Sequence, residues 1–260
     1  MARYYIGTSG WHYDDWRGVF YPEKLPKKDW LAFYAGRFPT VELNYSFYRL
    51  PKESAFEGWH DNTPAGFCIA VKASRYITHV KRLKDIEEPL NNFMSRAALL
   101  KEKLGPVLYQ LPSSFHRDDV RLAEFLEKLP GGQHVIEFRH ASWLADEVFG
   151  MLFKNKVGFC IFDMPKLRSP LLATADFAYI RFHGTGERYS GSYPDAVLAE
   201  WARNISKLAK GLDAVYVYFN NDVSGHAVKN AAKLRDLLRL GNSESSIVQT
   251  FMHAESGDNI

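Results

Sequence analysis

The chain has 260 residues, of which 46% are hydrophobic, and its 33 basic and 30 acidic residues leave a net charge of +3. With two cysteines, Cys68 and Cys160, and no apolar run near the roughly 20 residues of a membrane span, the composition excludes a disulfide framework and a transmembrane protein. We therefore expect one domain in the cytoplasm, and any nucleic-acid partner has to be argued from local charge.

Eight apolar, strand-like runs follow one another along the chain, and nearly all of them end in a polar or charged residue. They span residues 4–9, 40–44, 67–72, 107–111, 135–139, 157–163, 177–183 and 214–220. Helical patterns separate most of these runs, which is typical of a single α/β domain of the TIM-like (β/α)8 barrel class. We assign residues 1–241 to the barrel and 242–260 to a C-terminal tail.

The helical patterns span residues 28–37, 53–60, 89–104, 143–154, 195–210 and 226–240. We expect Gly105 to end the third of them, Ser142 to cap the fourth, and Asp118 or Asp119 to begin a further helix after the fourth strand. Residues 164–176 contain Pro165 and Pro170, which interrupt helices, so the sixth βα unit should be irregular.

The connection after the third strand, residues 74–84, is unusually long and basic. It contains Arg75, Lys81, Arg82 and Lys84. Long loops of this kind are often functional, so this segment, the basic loop, is predicted to bind a ligand or to act as a lid.

The polar strand ends should converge at one end of the barrel, because residues two apart on a strand face the same side. The alternation brings the following residues to the mouth: Glu42, Asn44, Lys72, Gln110, Glu137, Arg139, Asp163, Arg181, His183 and Asn220. In (β/α)8 enzymes this end carries the active site.

Three cations of this set predict an anionic ligand, because Lys72, Arg139 and Arg181 match phosphate or carboxylate oxygens. Asn44, Gln110 and Asn220 would then orient that ligand. We expect the ligand to be a small anionic molecule or a nucleic acid, and Arg181→Ala to lose ligand binding in a chain that still folds.

Proton transfer is assigned to Glu137, Asp163 or His183, since carboxyl and imidazole groups are the usual acids and bases. Glu42 and the aromatic residues Trp11, Tyr13 and Tyr48 complete the predicted ligand-binding set. No metal ligand or cofactor is assigned. The sequence leaves the oligomeric state open.

Four alternatives stay open. In the first, the charged residues form an ion network that only organises the barrel. In the second, zinc, manganese or magnesium is bound by Glu42, Glu137, Asp163 and His183. Glu42 and Glu137 would instead serve a glycosidase whose aromatic residues stack on sugars. Finally, the protein would be a noncatalytic module that binds nucleic acid or protein through the basic loop and nearby aromatic residues.

Several motifs resemble one family along nearly the whole chain. They are Gly7-Thr8-Ser9-Gly10-Trp11, Glu42-Leu43-Asn44-Tyr45-Ser46-Phe47-Tyr48, Gln110-Leu111-Pro112, Glu137-Phe138-Arg139-His140 and Phe219-Asn220-Asn221-Asp222. They are similar to the YecE-like proteins, domain of unknown function number seventy-two. The resemblance implies a TIM-like barrel and supplies no reaction and no agreed catalytic residues.

Overall fold

Eight parallel strands close into a ring in this computed structural model, which describes residues 2–164, 167–186 and 190–240. The strands are β1 (Arg3–Ser9), β2 (Thr40–Leu43), β3 (Cys68–Lys72), β4 (Leu104–Gln110), β5 (His134–Glu137), β6 (Gly158–Met164), β7 (Leu167–Arg168), β8 (Phe177–Phe182) and β9 (Ala214–Phe219). The short β7 is an antiparallel partner of β6 and stands outside the ring. The eight predicted strands and the TIM-like fold are confirmed.

The ring runs β1-β2-β3-β4-β5-β6-β8-β9, and β9 pairs again with β1. In register, Arg3 of β1 lies beside Ala214 of β9 and Thr8 beside Phe219, whereas β5 and β6 share only the pairs Val135↔Gly158 and Ile136↔Phe159. The seam between the first strand and the last is therefore paired as extensively as β8 with β9.

Helices surround the ring in the order that the sequence predicts. They are α1 (Trp30–Ala35), α2 (Tyr45–Tyr48), α3 (Glu53–Asp61), α4 (Glu87–Ala97), α5 (Asp119–Glu127), α6 (Asp146–Lys154), α7 (Asp195–Leu208) and α8 (His226–Leu237). Asp118 caps α5, because its carboxylate accepts a 3.0 Å hydrogen bond from the Arg121 backbone N–H. Within the described ranges no helix is long and apolar enough to cross a membrane.

Two helix-boundary predictions are wrong. Gly105 lies inside β4, and the turn after α4, Ala98–Lys103, is interrupted at Lys101, whose φ of 51° breaks the helical path. Ser142 does not cap α6, which begins at Asp146; its hydroxyl accepts a hydrogen bond from the Arg117 backbone N–H instead. Gly105 is drawn into the sheet and the Ser142 hydroxyl into a long-range contact, neither of which local patterns reveal.

The sixth βα unit is irregular, as predicted. Among the residues described between β6 and β8 there is the β7 hairpin and no helix. Thr174 holds this connection against the barrel by donating to the Val157 carbonyl at 2.6 Å and accepting from the Phe159 N–H at 2.7 Å. Pro165 and the predicted boundary at residues 241 and 242 lie outside the described residues.

The core has two layers, one inside the ring and one between the ring and the helices. Inside lie Cys68, Ala70, Leu108, Val135, Cys160, Phe177, Tyr179, Ala214, Tyr216 and Tyr218. Cys160 belongs to this inner layer, whereas Ile161 belongs to the outer one. The alternation expected for β6 is therefore inverted, and the inner layer forms the floor on which the polar mouth rests.

Candidate functional site

Arg181 lies at the centre of the mouth between two carboxylates. Its Nη1 donates to Glu137 Oε2 at 2.6 Å and its Nη2 donates to Glu42 Oε1 at 2.7 Å. Arg181 is only 1% exposed, and both glutamates are fully buried. Such an arrangement is stable only when each charge has a partner. Here one guanidinium bridges a carboxylate of β2 and a carboxylate of β5.

Glu42 has further donors on both of its oxygens. The Ser9 hydroxyl donates to Oε1, and the Tyr179 hydroxyl donates to Oε2 at 2.6 Å. Burial raises the pKa of Glu42, but the charge of Arg181 and these hydrogen bonds outweigh it, so the pKa is below its ordinary value. Glu42 is therefore a fixed anion.

Glu137 is held even more firmly. Besides Arg181, its Oε1 accepts from Arg139 Nη2 at 2.5 Å and lies 3.2 Å from His183 Nε2. Burial opposes ionisation, yet the two guanidiniums lower the pKa of Glu137 well below its usual range. Glu42, Glu137, Arg139, Arg181 and His183 form one connected group, the paired cluster.

His183 is the uncharged member of the paired cluster. Burial, together with the nearby guanidiniums, lowers its pKa to about 4 against the pull of Glu137. Its Nδ1 lies 3.4 Å from Asn220 Nδ2, which is a donor. Its Nε2 lies 3.2 Å from the acceptor Glu137 Oε1 and 3.1 Å from the donor Arg139 Nη2, so these two groups compete for this nitrogen, while Nδ1 faces Asn220.

Lys72 on β3 and Gln110 on β4 differ from the paired cluster because their side chains lack such partners in the described chain. We name these two residues the open pair. Lys72 is 9% exposed and has no carboxylate within ion-pair distance among the described residues. Its Nζ lies 4.1 Å from the centre of the Phe47 ring. Burial, together with the repulsion of Arg181, lowers the pKa of Lys72 to about 7.

Gln110 pairs in register with Glu137 and so lies next to the paired cluster. Its side chain makes no hydrogen bond to the part of the chain that the structure describes. The open pair thus leaves an amine and an amide available on one side of the mouth.

Three atoms at the mouth are buried and lack a hydrogen-bond partner in the described ranges. They are Asn44 Oδ1, Arg139 Nε and Arg181 Nε. Asn44 uses only its Nδ2, which donates to the Ser9 hydroxyl at 2.6 Å. Because unpaired buried polar atoms are costly, these are positions where a bound ligand gains hydrogen bonds.

Asp163 is not part of this group, so its assignment to the mouth is wrong. Its Oδ2 accepts a 3.1 Å hydrogen bond from the indole N–H of Trp201 on α7. The inversion of β6 explains this: Met164, the next residue, contacts Arg139 Nη1 through its sulfur at 2.9 Å. The strand turns Met164 toward the mouth and Asp163 toward the helices.

The predicted aromatic residues have different environments. Trp11 packs edge-on against another tryptophan, and the Tyr13 hydroxyl donates to the Ser9 carbonyl at 2.5 Å, so both fasten the loop after β1. Tyr48, by contrast, is 76% exposed and stacks edge-on against Phe47. Of the three, Tyr48 is the ring that a ligand reaches beside Lys72.

Two residues near the mouth were missed by the sequence reasoning. His79 lies in a π-helical turn, Tyr76–Val80, inside the basic loop; its ring is 5.1 Å from Phe47, and burial with the charge of Lys72 lowers its pKa to about 4. Asp222 follows β9, and burial raises its pKa to about 6. His79 lies in the basic loop and Asp222 in the motif Phe219-Asn220-Asn221-Asp222, but neither residue ends a strand.

The alternative metal ligands do not assemble. The Arg181 guanidinium separates Glu42 from Glu137, and Asp163 faces α7. Across residues 2–164, 167–186 and 190–240, no three histidine, cysteine, aspartate or glutamate side chains form a group that could hold a metal ion. The mouth is therefore organised around a buried arginine.

Comparison with known proteins gives one consistent result. Residues 5–253 match the family model "Protein of unknown function DUF72". The UPF0759 protein YunF of Bacillus subtilis is 27% identical over 268 residues, covering 90% of this chain and 94% of YunF. The UPF0759 protein YecE of Escherichia coli K12 is 30% identical over 143 residues, about half of each chain (54% and 50%).

Solved structures agree with the sequence comparison. A DUF72 family protein from Thermotoga maritima has a TM-score of 0.83 and 34% identity, covering 91% of this chain and 99% of its own. A second, from Enterococcus faecalis, has a TM-score of 0.79 at 20% identity, covering 91% and 95% of the two chains, and supports the fold alone.

Proposed function

The chain belongs to the DUF72 family of proteins of unknown function, and on that premise we propose that it is an enzyme acting on a phosphate-bearing or other anionic substrate at the barrel mouth. Lys72 and Arg139 bind the anion, and Gln110 and Asn220 orient the rest of the substrate. The reaction is of the hydrolase or lyase type.

The charge left over at the mouth carries this proposal. In the paired cluster, two guanidiniums and two carboxylates cancel, and His183 is neutral at pH 7. Lys72 has no ion-pair partner in the described chain, and the buried Nε of Arg139 has no acceptor. An anion bound between them would give Lys72 an ion-pair partner and give Arg139 Nε an acceptor, which is how arginine and lysine bind phosphate.

Proton transfer is best assigned to His183. Glu137 was a candidate, but each of its oxygens accepts from a guanidinium and its pKa is well below the usual range, so it orients Arg139 and Arg181. His183 is neutral, lies in the paired cluster and faces Asn220, and a neutral imidazole accepts a proton.

The test is a comparison of phosphorylated and unphosphorylated ligands. Calorimetric titration of the full chain with nucleoside monophosphates, sugar phosphates and their unphosphorylated forms should give binding of phosphorylated compounds only. Arg139→Gln should weaken that binding at least about tenfold, whereas Arg96→Gln, which removes a guanidinium paired with Glu53 on the outer helices, should not. Unchanged affinity in Arg139→Gln, or no binding at all, would overturn the proposal.

The glycosidase alternative gains no support from the geometry. Such an enzyme needs one carboxyl group that stays protonated to act as general acid. Glu42 and Glu137 both have lowered pKa values and share one arginine. We therefore set this alternative below anion binding.

A nucleic-acid-binding module remains the second candidate, because exposed aromatic rings lie beside the basic loop. Tyr45 and Tyr48 are 62% and 76% exposed, and Lys81 Nζ lies 6.0 Å from the ring centre of Tyr76. The loop also borders a cleft of about 620 Å³ beside α4. Rings and cations together suit single-stranded nucleic acid.

Charge reversal at Lys81, Arg82 and Lys84 separates the two candidates. It should abolish salt-sensitive oligonucleotide binding if the module is correct, and it should leave turnover of a small phosphorylated substrate unchanged. A cytoplasmic location belongs to both proposals, and the two buried free thiols, Cys68 and Cys160, support a reducing compartment.

A further inference from the structure

Lys72 differs from the other cations of the mouth in its surroundings. Arg139 and Arg181 each contact a carboxylate, but no carboxylate in the described residues comes within ion-pair distance of Lys72. Its nearest partner is the face of Phe47, 4.1 Å from Nζ, and its backbone carbonyl is fixed by a 2.7 Å hydrogen bond from the Ser46 hydroxyl. The amine therefore lies against an aromatic face and is not neutralised by a carboxylate in the described residues.

The protonation state of this amine favours chemistry. Burial and the charges of Arg181 and Arg139 lower the pKa of Lys72 to about 7, although Glu137 and Glu42 act in the opposite direction. A lowered pKa makes the neutral, nucleophilic amine accessible near neutrality, which is how lysines that form Schiff bases are activated.

We propose that Lys72 is a nucleophile that forms an imine with the carbonyl carbon of the substrate, so that the substrate class is a phosphorylated or otherwise anionic aldehyde or ketone. This inference rests on the proposed function, but it gives Lys72 a covalent role in place of its ionic one, so that the anionic group is held by Arg139 beside the open pair. It adds a carbonyl group within reach of Nζ.

The step is balanced without an oxidant or reductant. The nitrogen lone pair forms a bond to the carbonyl carbon, the carbonyl oxygen takes a proton, and a carbinolamine results. The nitrogen gives up one of its two protons, the hydroxyl group takes a second proton, the carbon–oxygen bond breaks, and the oxygen leaves as water, so the nitrogen of the imine keeps one proton. The protonated imine is a cation, which the face of Phe47 stabilises.

His79 is placed to carry the protons of this step. Its ring lies against the same Phe47 ring, with 5.1 Å between centres, and Lys72 is the charge that acts on it most strongly. Its pKa of about 4 keeps it neutral, and its Nδ1 lies 2.9 Å from the Thr78 hydroxyl. The π-helical turn Tyr76–Val80 therefore brings a proton carrier beside the amine.

Reductive trapping tests the inference on the full chain. The protein is incubated at pH 7 with dihydroxyacetone phosphate, or with unphosphorylated dihydroxyacetone, in the presence of cyanoborohydride, and the modified lysines are mapped by peptide mass spectrometry. We expect one adduct, at Lys72, at least about tenfold above any other lysine, and stronger with the phosphorylated probe. Lys72→Met should abolish it, and the outer-helix control Lys233→Met should retain it.

The outcomes separate this inference from the proposed function. Phosphorylated ligands that bind through Arg139 with no adduct at Lys72 would overturn the imine alone. Adducts spread evenly over exposed lysines would overturn it as well. Absence of both binding and adduct would overturn the two proposals together, while trapping in His79→Ala at the wild-type rate would remove His79 from the step.

Discussion

The two sides of the barrel mouth differ in whether their buried polar groups are paired. In the paired cluster every ionised group has a partner: Arg181 bridges Glu42 and Glu137, and Arg139 completes the network. In the open pair, Lys72 and Gln110 are equally close to the strand ends but lack such partners in the described chain. The first side pairs its charges and offers a ligand the Nε of Arg139, whereas the second offers an amine and an amide that have no such partners.

The largest effect is expected at Arg181. Arg181→Met leaves two buried carboxylates without their shared cation, so the free energy of unfolding should fall by about 3–5 kcal/mol, measured by urea denaturation. This replaces the sequence-based expectation that Arg181→Ala would fold normally. In the exposed control variant Lys233→Met, the free energy of unfolding should be nearly unchanged.

Adding Glu42→Gln to Arg181→Met sharpens the comparison. The double variant removes one of the stranded charges, while Glu137 keeps Arg139, so it should recover part of the lost stability. A double variant that is less stable than Arg181→Met would show that the pairing is not what holds this side together.

Lys72→Met should change the free energy of unfolding in the opposite direction and stabilise the protein. At pH 6 the native protein holds a buried ammonium, and its removal should raise the free energy of unfolding by roughly 1–3 kcal/mol. The native amine loses its proton near pH 7, whereas the unfolded amine keeps it to about 10.5. Wild-type stability therefore rises between these pH values, and the advantage of the variant disappears.

Denaturation of both proteins from pH 6 to pH 10 measures this difference. A constant gap between wild type and Lys72→Met across the series would mean that Lys72 has an ordinary pKa, and the contrast between the two sides of the mouth would lose its basis.

A smaller effect is expected at Gln110. Gln110→Leu should leave stability unchanged, because the amide makes no hydrogen bond within the described chain, and should weaken the binding of a phosphorylated ligand about tenfold. Calorimetric titration beside a melting curve measures both quantities. Normal affinity would place Gln110 outside the ligand site.

The smallest effect is expected at Asp163. Asp163→Asn keeps an acceptor for the Trp201 indole, so stability should change by about 1 kcal/mol or less and ligand affinity by less than twofold. Loss of ligand binding would return Asp163 to the mouth.

The barrel itself was predictable from the chain, because each apolar run has the length of a strand and its polar end marks the mouth. In β6 the run Gly158–Met164 is apolar until Asp163, so no polar residue reveals which face is inside, and the face was assigned wrongly.

The pairing within the site was not predictable. Arg181 contacts Glu42 across 139 positions of sequence, and such a contact depends on strand register around the whole ring. His79 was missed because a π-helical turn has no pattern that shows which side chain it turns inward. The candidates Glu42, Lys72, Glu137, Arg139, Arg181 and His183 were nevertheless identified, since each lies on the inner face near a strand end.

The closure of the ring by β9 against β1 has a consequence for synthesis of the protein. Because residues 3–8 pair with residues 214–219, a chain emerging from the ribosome cannot complete its sheet until nearly all strands have been translated. Glu42 and Glu137 emerge well before Arg181, and a carboxylate without a cation stays hydrated. Burial of the Glu42 carboxylate, which pairs with Arg181, therefore has to follow translation of the β8 strand.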